Sequence, residues 1–578
     1  MIVSSSIGHP PKDGKHSGVP IFRWTRRIHR GTLRIVIIAL VIFLITYLLI
    51  GLRQIPQVHI NRPAGALVGA VLMVVFGVLT LEQAFAAVDM HTLLLLLGMM
   101  IITVYLRLAG FFELMADRIL SLSKTPLHLL VLVTVSSGLL SALFVNDTIC
   151  LLYTPIVLAV TVQLGVNPVP YLLALAAGSN IGSVMTVTGN PQNMLIGIYS
   201  GVPYLSFLGA LFPVAIIGFA VCIGVIRFVY RAEMTRAGFA KRPVMPDYRV
   251  NMPLLTRSLL VCAGVLVAFS LGYPYSLSAA AGAVVLLVIG GVSTERVLEG
   301  VDWTLLLFFS GLFIVMHGVE VSGLAGRMIE KAAVLVPPSL AWRITGLSAV
   351  SAVLSNAVSN VPAVMLLKPF TESLGGDRTL WLALAMSSTL AGNFTLIGSV
   401  ANLIVVQQAR RKVEIGFLEY FRVGALITII TIAAGVLILI AEVRTAHGAE
   451  NVTYASEKQT KTVSLVPAGA KNGRTYRISL VCDTAQKRMQ GLQGVPRLRE
   501  DEAALFVFEK PEMVTFWMGK VEYAIDIVFV DQQGVVVQVF SDCRPGSTDL
   551  FSSRVPVKWA IETRAGSGIR EGERVLIK

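Results

Sequence analysis

Two stretches of this chain that are apolar enough to enter a bilayer carry the same polar residues at the same spacing. Ser141, Asn146 and Pro155 in the first recur as Ser355, Asn360 and Pro369 in the second, all three at one constant offset. Each set is followed by a Gly-x3-Asn element, Gly189 with Asn193 and Gly398 with Asn402. Amide and hydroxyl groups at membrane depth are costly unless they face protein, water or a solute. Two such sets in two similar halves imply a solute site between paired repeats, the pattern of a secondary transporter. Neutral Asn and Thr side chains would supply donors and acceptors there without forcing a permanent charge into the membrane.

The first break places Asn146, Asp147 and Thr148 at a tip between two apolar runs. The second places Ser359 and Asn360 there, with Val361 where the first has Asp147. A broken helix exposes backbone N–H groups at one half-helix end and carbonyls at the other, which suit anions and cations respectively. Helix capping by the same side chains is the plainer role and is compatible with the first. Asp147 is a candidate to carry a coupling proton or neutralise sodium, or else to pair locally. The second wall of the site is expected from Ser179, Asn180, Thr188, Gly189, Asn190 and Asn193, and from Asn393, Thr395, Gly398 and Asn402. Gly189-Asn190-Pro191 is a strong helix breaker, because proline lacks a donor and disfavours helix in the residue before it. A discontinuous helix facing each tip follows. Asp89 and Asp302 are expected to cap helices, and Arg107, His317, Glu320 and Lys368 lie near spans as packing, relay or snorkelling groups.

Positioning these groups requires helices that cross a membrane. The chain has 578 residues, 55% hydrophobic and 14% charged, against roughly 25% charged in soluble proteins. Apolar runs recur between residues 33 and 441, some near the roughly 20 residues that cross a hydrocarbon core and some shorter. Gly69, Gly77, Val88-Asp89, Gly98 and Gly110 reappear in the same order and spacing as Gly282, Gly290, Val301-Asp302, Gly311 and Gly323, so this part is an internal duplication. The runs 126–145 with 149–165, and 335–354 with 361–370, are joined at polar breaks as re-entrant hairpins are. An odd number of crossings plus one hairpin in each half inverts the second repeat relative to the first.

The net charge of +14 is no nucleic-acid signal, because the basic residues sit in loops. Lys12, Lys15, Arg23, Arg26, Arg27 and Arg30 precede the first span; Arg231, Arg236, Lys241, Arg242 and Arg249 separate the halves; Arg410, Arg411, Lys412 and Arg422 precede the last span. The last two clusters read as cytoplasmic, which delivers the C-terminal region outside. Counting back from 231 places the N-terminus outside as well, against its own basic residues.

The expected organisation is a basic segment at 1–32, repeat one at 33–230, a basic cytoplasmic loop at 231–256, repeat two at 257–441, a polar linker at 442–471 and a soluble domain at 472–578. That last domain shows short alternating runs, with Asp531-Gln532-Gln533-Gly534 as a hairpin turn. Cys482 and Cys543 could pair as a disulfide if it is exported, whereas Cys150, Cys222 and Cys262 read as packing residues. The fold expected is an all-α polytopic membrane protein with two inverted repeats, re-entrant hairpins and broken helices, plus a small mostly-β C-terminal domain.

The segments VDMHTLLLLLGMM, VNDTICLLYTP and SNIGSVMTVTGNPQN, with SNAVSNVPAVMLLKP and AGNFTLIGSVANLIV, give residues 33–441 a resemblance to the ion transporter superfamily. That group holds arsenite permeases, sodium/proton antiporters and citrate or dicarboxylate symporters. Its symporters carry a Ser-Asn-Thr triplet at each tip; here Val145-Asn146-Asp147-Thr148 and Ser359-Asn360-Val361-Pro362 share only the Asn, a departure at the usual dicarboxylate and sodium positions. The resemblance implies elevator-like alternating access in a bacterial inner membrane, as a homodimer in the lipid bilayer, without covalent catalysis or an organic cofactor. The implied solute is a small inorganic or carboxylate anion, with sodium or a proton as coupling ion. A sodium/proton antiporter exchanging protons at Asp147, and a membrane-anchored sensor or binding protein, are the alternatives. Residues 472–578 resemble the domain of unknown function 192, often exported in bacteria, through Gly491-Leu492, Ala504–Phe508, Phe516-Trp517-Met518 and Asp526–Asp531. Trp517 and Asp526 are where a ligand groove would be sought there, or else a core Trp and a turn-capping Asp.

Overall fold

The structure, a computed structural model, describes residues 25–51, 62–235, 239, 248–323, 339–374, 376–410, 412–456, 462–466 and 474–577, apart from short stretches at 484–486, 489–490, 493–494, 496, 519–520 and 548. Much of the basic N-terminal segment, with Lys12, Lys15 and Arg23, lies outside the described residues, as do Arg236, Lys241, Arg242 and Arg411. The chain forms two compact units, residues 1–446 and 447–578.

Unit one is helical. Its first repeat contains α1 (Thr25–Gly51), α2 (Arg62–Val75), α3 (Leu81–Ala86), α4 (Met90–Leu108), α5 (Phe111–Leu122), α6 (Pro126–Leu143), α7 (Asn146–Leu164), α8 (Val169–Ser183), α9 (Pro191–Ser200) and α10 (Tyr204–Val229), followed by the short α11 (Arg231–Met234). The second contains α12 (Met252–Ser270), α13 (Tyr275–Ile289), α14 (Thr294–Leu298), α15 (Trp303–Val321), α16 (Leu340–Val358), α17 (Asn360–Ser373), α18 (Arg378–Ala391), α19 (Val400–Ala409) and α20 (Phe417–Ser456). The duplication recurs in the helix starts: α2 with α13, α3 with α14, α4 with α15 and α10 with α20 all begin at one common offset. The two hairpin arms share a second offset and the two halves of the broken helix a third, so each motif was kept as a unit. Seven helices among the described residues are long and apolar enough to cross a membrane, including both arms of the first hairpin.

Local chemistry explains these boundaries. Asp89 accepts from His91 N at 2.9 Å and Thr92 N at 3.1 Å, and Asp302 accepts from Leu305 N at 3.1 Å, so both expected caps open the paired 19-residue helices α4 and α15. The repeats then exchange partners, with α4 packed on α13 and α15 on α2. A Cβ on Gly98 would lie 2.6 Å from the Ala279 carbonyl carbon, and one on Gly311 would lie 2.8 Å from that of Ala66. Gly98 and Gly311 are equivalent positions of the duplication, as are Ala66 and Ala279, so one backbone contact is made twice. Small residues permit such approach between helices where lipid supplies no hydrophobic drive.

In place of the linker expected from residue 442, α20 continues as helix to Ser456. Helix-forming residues such as Ala441, Glu442, Arg444 and Ala446 extend the last span, and polarity by itself does not end a helix.

Unit two is built on a seven-stranded sheet in the order β6-β5-β8-β3-β2-β1-β9. The strands are β1 (Thr462–Val466), β2 (Arg474–Cys482), β3 (Glu502–Glu512), β5 (Ile525–Val530), β6 (Val536–Cys543), β8 (Val557–Arg564) and β9 (Arg574–Ile577). A separate pair joins β4 (Thr515–Trp517) to β7 (Leu550–Ser552). The turn at 531–534 closes β5 onto β6, with Gly534 at φ +76 and the Asp531 side chain accepting from Gln533 N and Val535 N. Asp526 is 1% exposed and accepts from Asp542 N, Ser567 N and Ser567 Oγ, a turn-binding role.

Cys482 and Cys543 do not pair; both are buried free thiols. They sit on β2 and β6, with β3, β8 and β5 between them. At about 4.8 Å per strand spacing that is about 19 Å, far beyond the ~7 Å Cα separation a disulfide can bridge.

Replacing Gly98 or Gly311 by Val drives a branched side chain into fixed backbone. Each substitution is expected to cost about 1–3 kcal/mol and lower the melting temperature of the detergent-solubilised protein. Gly209→Ala, where nothing lies within 4 Å, should leave that temperature unchanged.

Candidate functional site

Both hairpins and both broken helices supply the polar core of unit one. α8 stops at Ser183, a single 3-10 turn occupies Val187–Gly189, and α9 resumes at Pro191. In repeat two α18 stops at Ala391 and α19 resumes at Val400. Unwinding strips carbonyls of their helical partners, and one asparagine in each repeat recovers them. Asn193 Nδ2 donates to the carbonyls of Ser183 at 3.0 Å, Thr186 at 3.0 Å and Val184 at 3.4 Å. Asn402 Nδ2 donates to those of Gly392 at 2.7 Å and Thr395 at 3.1 Å. The donors correspond between repeats, and so do the shared acceptors, Ser183 with Gly392 and Thr186 with Thr395, so the same knot is tied twice. Gly189 and Gly398 allow the chain to fold this closely: a Cβ would stand 2.6 Å from Ser183 Cα in the first and 2.8 Å from Asn356 Oδ1 in the second.

Asn180, in the last turn of α8, joins the two knots. Its Oδ1 accepts from Asn146 Nδ2 at 2.8 Å and Ser399 Oγ at 3.2 Å. Its Nδ2 donates to Asn393 Oδ1 at 2.8 Å and Asn402 Oδ1 at 3.1 Å. That uses the full donor and acceptor capacity of a carboxamide. Ser141 and Ser179 share a hydrogen bond of 2.7 Å, and Ser179 also donates to the Asn146 carbonyl at 3.2 Å. A second crossing between repeats centres on Thr389, which accepts from Asn190 and Gln192 and donates to Asn193 Oδ1 at 3.3 Å. Asn360, with its amide nitrogen turned to the two carbonyls facing it, donates to Ser388 O at 3.1 Å and Gly398 O at 3.3 Å.

The expected residues therefore divide into groups. Asn146, Ser179, Asn180, Asn393 and Asn402 form one network. Thr188 donates to the Ala142 carbonyl at 3.3 Å, and Asn190 caps α9 by accepting from Asn193 N at 2.8 Å, so these two hold the broken segment in shape. Thr395 is held by Asn356 at 3.0 Å. Asp147 and Thr148 are only partly buried, and Asp147 turns to the Ala401 backbone N–H in the first turn of α19. His317 with Glu320 at 3.6 Å, and Lys368 with Glu372 at 3.3 Å, make their ion contacts along their own helices. Thr389 and Ser399 belong to the polar element of repeat two but, like Asn356 and Ser183, are not among the candidate site residues read from the sequence. Ser399 and Asn356 adjoin the motif residues Gly398 and Ser355, and Ser183 and Thr389 lie close to Asn180 and Asn393, but spacing alone gives no sign of which way such side chains face.

The bonds made and missing at the site show what a solute would find there. The carbonyls freed at Ser183, Val184, Thr186, Gly392 and Thr395 are all bonded by the two asparagines. Among the described residues, α7 and α17 start without a side-chain cap, the buried Asn393 Nδ2 is a donor without a partner, and the buried Asn146 Oδ1 is an acceptor without one. Unsatisfied N–H groups at a helix N-terminus attract anions. Ser359, which opens α17, has φ +78 and ψ +160, a region that residues other than glycine rarely adopt.

Residues 38–377 match the family model described as "Citrate transporter". The chain belongs to the citrate transporter family. Residues 468–577 match a second family, the domain of unknown function 192, described as "Uncharacterized ACR". The silicon efflux transporter LSI3 of Oryza sativa subsp. japonica is 31% identical over 472 residues, which covers 69% of this chain and 97% of the relative. An uncharacterized transporter of Mycobacterium tuberculosis is 32% identical over 425 residues, covering 70% of this chain and 97% of the relative. The solved YdaH transporter of Alcanivorax borkumensis aligns over 72% of this chain and 98% of its own at 14% identity, with a TM-score of 0.46. This citrate transporter family member is a multi-pass membrane protein with a secondary-transport role.

Asn402→Ala frees one buried and one partly buried carbonyl and removes a partner of Asn180; a loss of about 2–5 kcal/mol and a lower melting temperature are expected. Ser359→Gly relieves backbone strain of about 1–3 kcal/mol, so it should raise the melting temperature measured in the same way.

Proposed function

We propose that this chain moves a small inorganic or carboxylate anion across the membrane by alternating access, coupled to a sodium or proton gradient. One observation carries the reading. At the network around Asn180 the carbonyls released by unwinding are already bonded, while two hairpin N-termini and Asn393 Nδ2 retain donors. The orphaned Asn146 Oδ1 offers a cation one ready acceptor, whereas an anion meets Asn393 Nδ2 and the N–H groups of two uncapped hairpin N-termini. Membership of the citrate transporter family supports a carboxylate or related anion, and the silicon efflux relative adds silicic acid to the solutes worth testing. No organic cofactor enters this scheme.

Asp147 supports a second reading, a sodium/proton antiporter. It is a carboxylate at the hairpin tip, seated against the start of α19, and Val361 stands at its counterpart. Protonation there would release the α19 N–H group and change what that end of the helix attracts.

Proteoliposomes containing the full chain separate the two. Uptake of citrate, succinate, sulfate, arsenite or silicic acid under imposed sodium or pH gradients is the expected result. Sodium-driven proton flux with none of these solutes transported would replace it with the antiporter. Asn146→Ala and Asn360→Ala should each reduce uptake about tenfold or more at unchanged expression, and full uptake in both would remove the site from the hairpin tips. With the last span crossing outward from the basic cluster near 410–422, a reporter at residue 578 that requires export should be active, and one that requires the cytoplasm silent.

A further inference from the structure

The sheet of unit two keeps a carboxylate where its neighbours are apolar. Glu562 lies within β8, opposite Ala504 of β3 and Ile527 of β5, on the face that carries Phe506, Phe529 and Ala560. It is 5% exposed and its Oε2 has no hydrogen-bond partner among the described residues. An unpaired acid in such a place weakens the fold, and an apolar residue of similar volume would serve the core better.

Space in front of the carboxylate suggests why it is there. A groove of about 440 Å³ is bounded by Glu562 with Phe506, Phe508, Phe516 and Trp517. Phe506 and Phe516 meet edge to face at 4.9 Å, and Trp517 is 53% exposed. Among the described residues that line the groove, the charged groups are Arg488, Glu512 and Glu562. Arg488 is already engaged: its Nη1 donates to the carbonyls of Asp483 at 3.0 Å and Val507 at 2.7 Å, and the guanidinium lies over the Phe508 ring. Two carboxylates and a set of aromatic faces are left for a visitor, the surroundings that recognise an ammonium group.

We propose that this groove binds a small organic cation, an amine with an apolar or aromatic body, with Glu562 as its counter-ion and Trp517 covering its entrance. This site is separate from the membrane unit's solute site and does not depend on what that unit transports.

The protonation of Glu562 gives the proposal a signature. Burial pushes its carboxyl up to about 8. The titratable groups around it are Cys482 on β2, Cys543 on β6, Tyr523 ahead of β5, and Glu512 and Arg488 across the groove. Burial pushes both thiols up to about 12 and raises the Tyr523 phenol, so these three stay neutral near pH 7. Below about pH 8 the empty groove holds a proton on Glu562, and a bound cation must displace it. Affinity therefore rises with pH, by about tenfold per unit, and levels off above about 8.

Calorimetric titration of the full chain in nanodiscs with 2-phenylethylamine, 2-phenylethanol and phenylacetate tests this. The amine should bind with that pH dependence and release a proton to the buffer. Glu562→Gln, a near-isosteric neutral change, should lower amine affinity about tenfold or more and flatten the pH dependence. Trp517→Ala, at an exposed position, should weaken binding but keep the pH dependence. Equal binding of the alcohol, preference for phenylacetate, or binding of none of the three would overturn the proposal.

Discussion

Inside a helical bundle an amide hydrogen or carbonyl oxygen left without a partner is costly, because lipid offers none. Asn180 meets that demand with partners from both repeats: Asn146 in the first, and Asn393, Asn402 and Ser399 in the second. The rest of the site hangs from this carboxamide. It fixes the first hairpin tip against α8, and it fixes the unwound strand of repeat two against the same turn. If the repeats parted, Asn180 would lose Asn393, Asn402 and Ser399 at once, a penalty larger than that of any single bond.

The duplication could be read from the sequence because its markers are glycines, prolines and asparagines, residues whose backbone roles leave few alternatives. Gly98 and Gly311 stood out by spacing, and the structure supplies the reason, an adjoining Ala backbone too close to admit a Cβ. The broken helices were legible from Gly189-Asn190-Pro191 for the same reason. Which side chains meet was less accessible. Asn193 was expected to face a solute, yet it binds three carbonyls of its own segment, since the nearest unsatisfied group takes precedence over a distant one. Thr389 and Ser399 lie in the polar element of repeat two, but their partners lie in the opposite repeat, and no local pattern announces such a pairing. Unit two gave up its strands through alternation, whereas Glu562 escaped notice because an acid within a strand ordinarily points to water.

The repeats are alike in backbone and unequal in bonding. Ser141 in the first hairpin is tied to Ser179, but the hydroxyl of its counterpart Ser355 is buried without a partner among the described residues, and so is that of Ser351. Ser359 adds backbone strain at the second tip, where the first tip has Val145 in an ordinary conformation. The stability of a structure is spread unevenly, and elements that move are drawn from its weaker parts. By that measure the first hairpin belongs to the fixed part of the site and the second to its adjustable part.

The bonds across the repeats also carry a historical meaning. Asn180 corresponds by position to Thr389, Asn393 to Val184 and Asn402 to Asn193. Two copies of the first half facing each other would set Asn180 against an aliphatic Val184. Two copies of the second would offer Thr389 in place of the central carboxamide. Neither half can stand in for the other, so a chain that began as two equal pieces has become one in which each piece is the other's complement. A substitution at Asn180 now calls for answering changes in the opposite half of the bundle as well as its own, so the two repeats drift together.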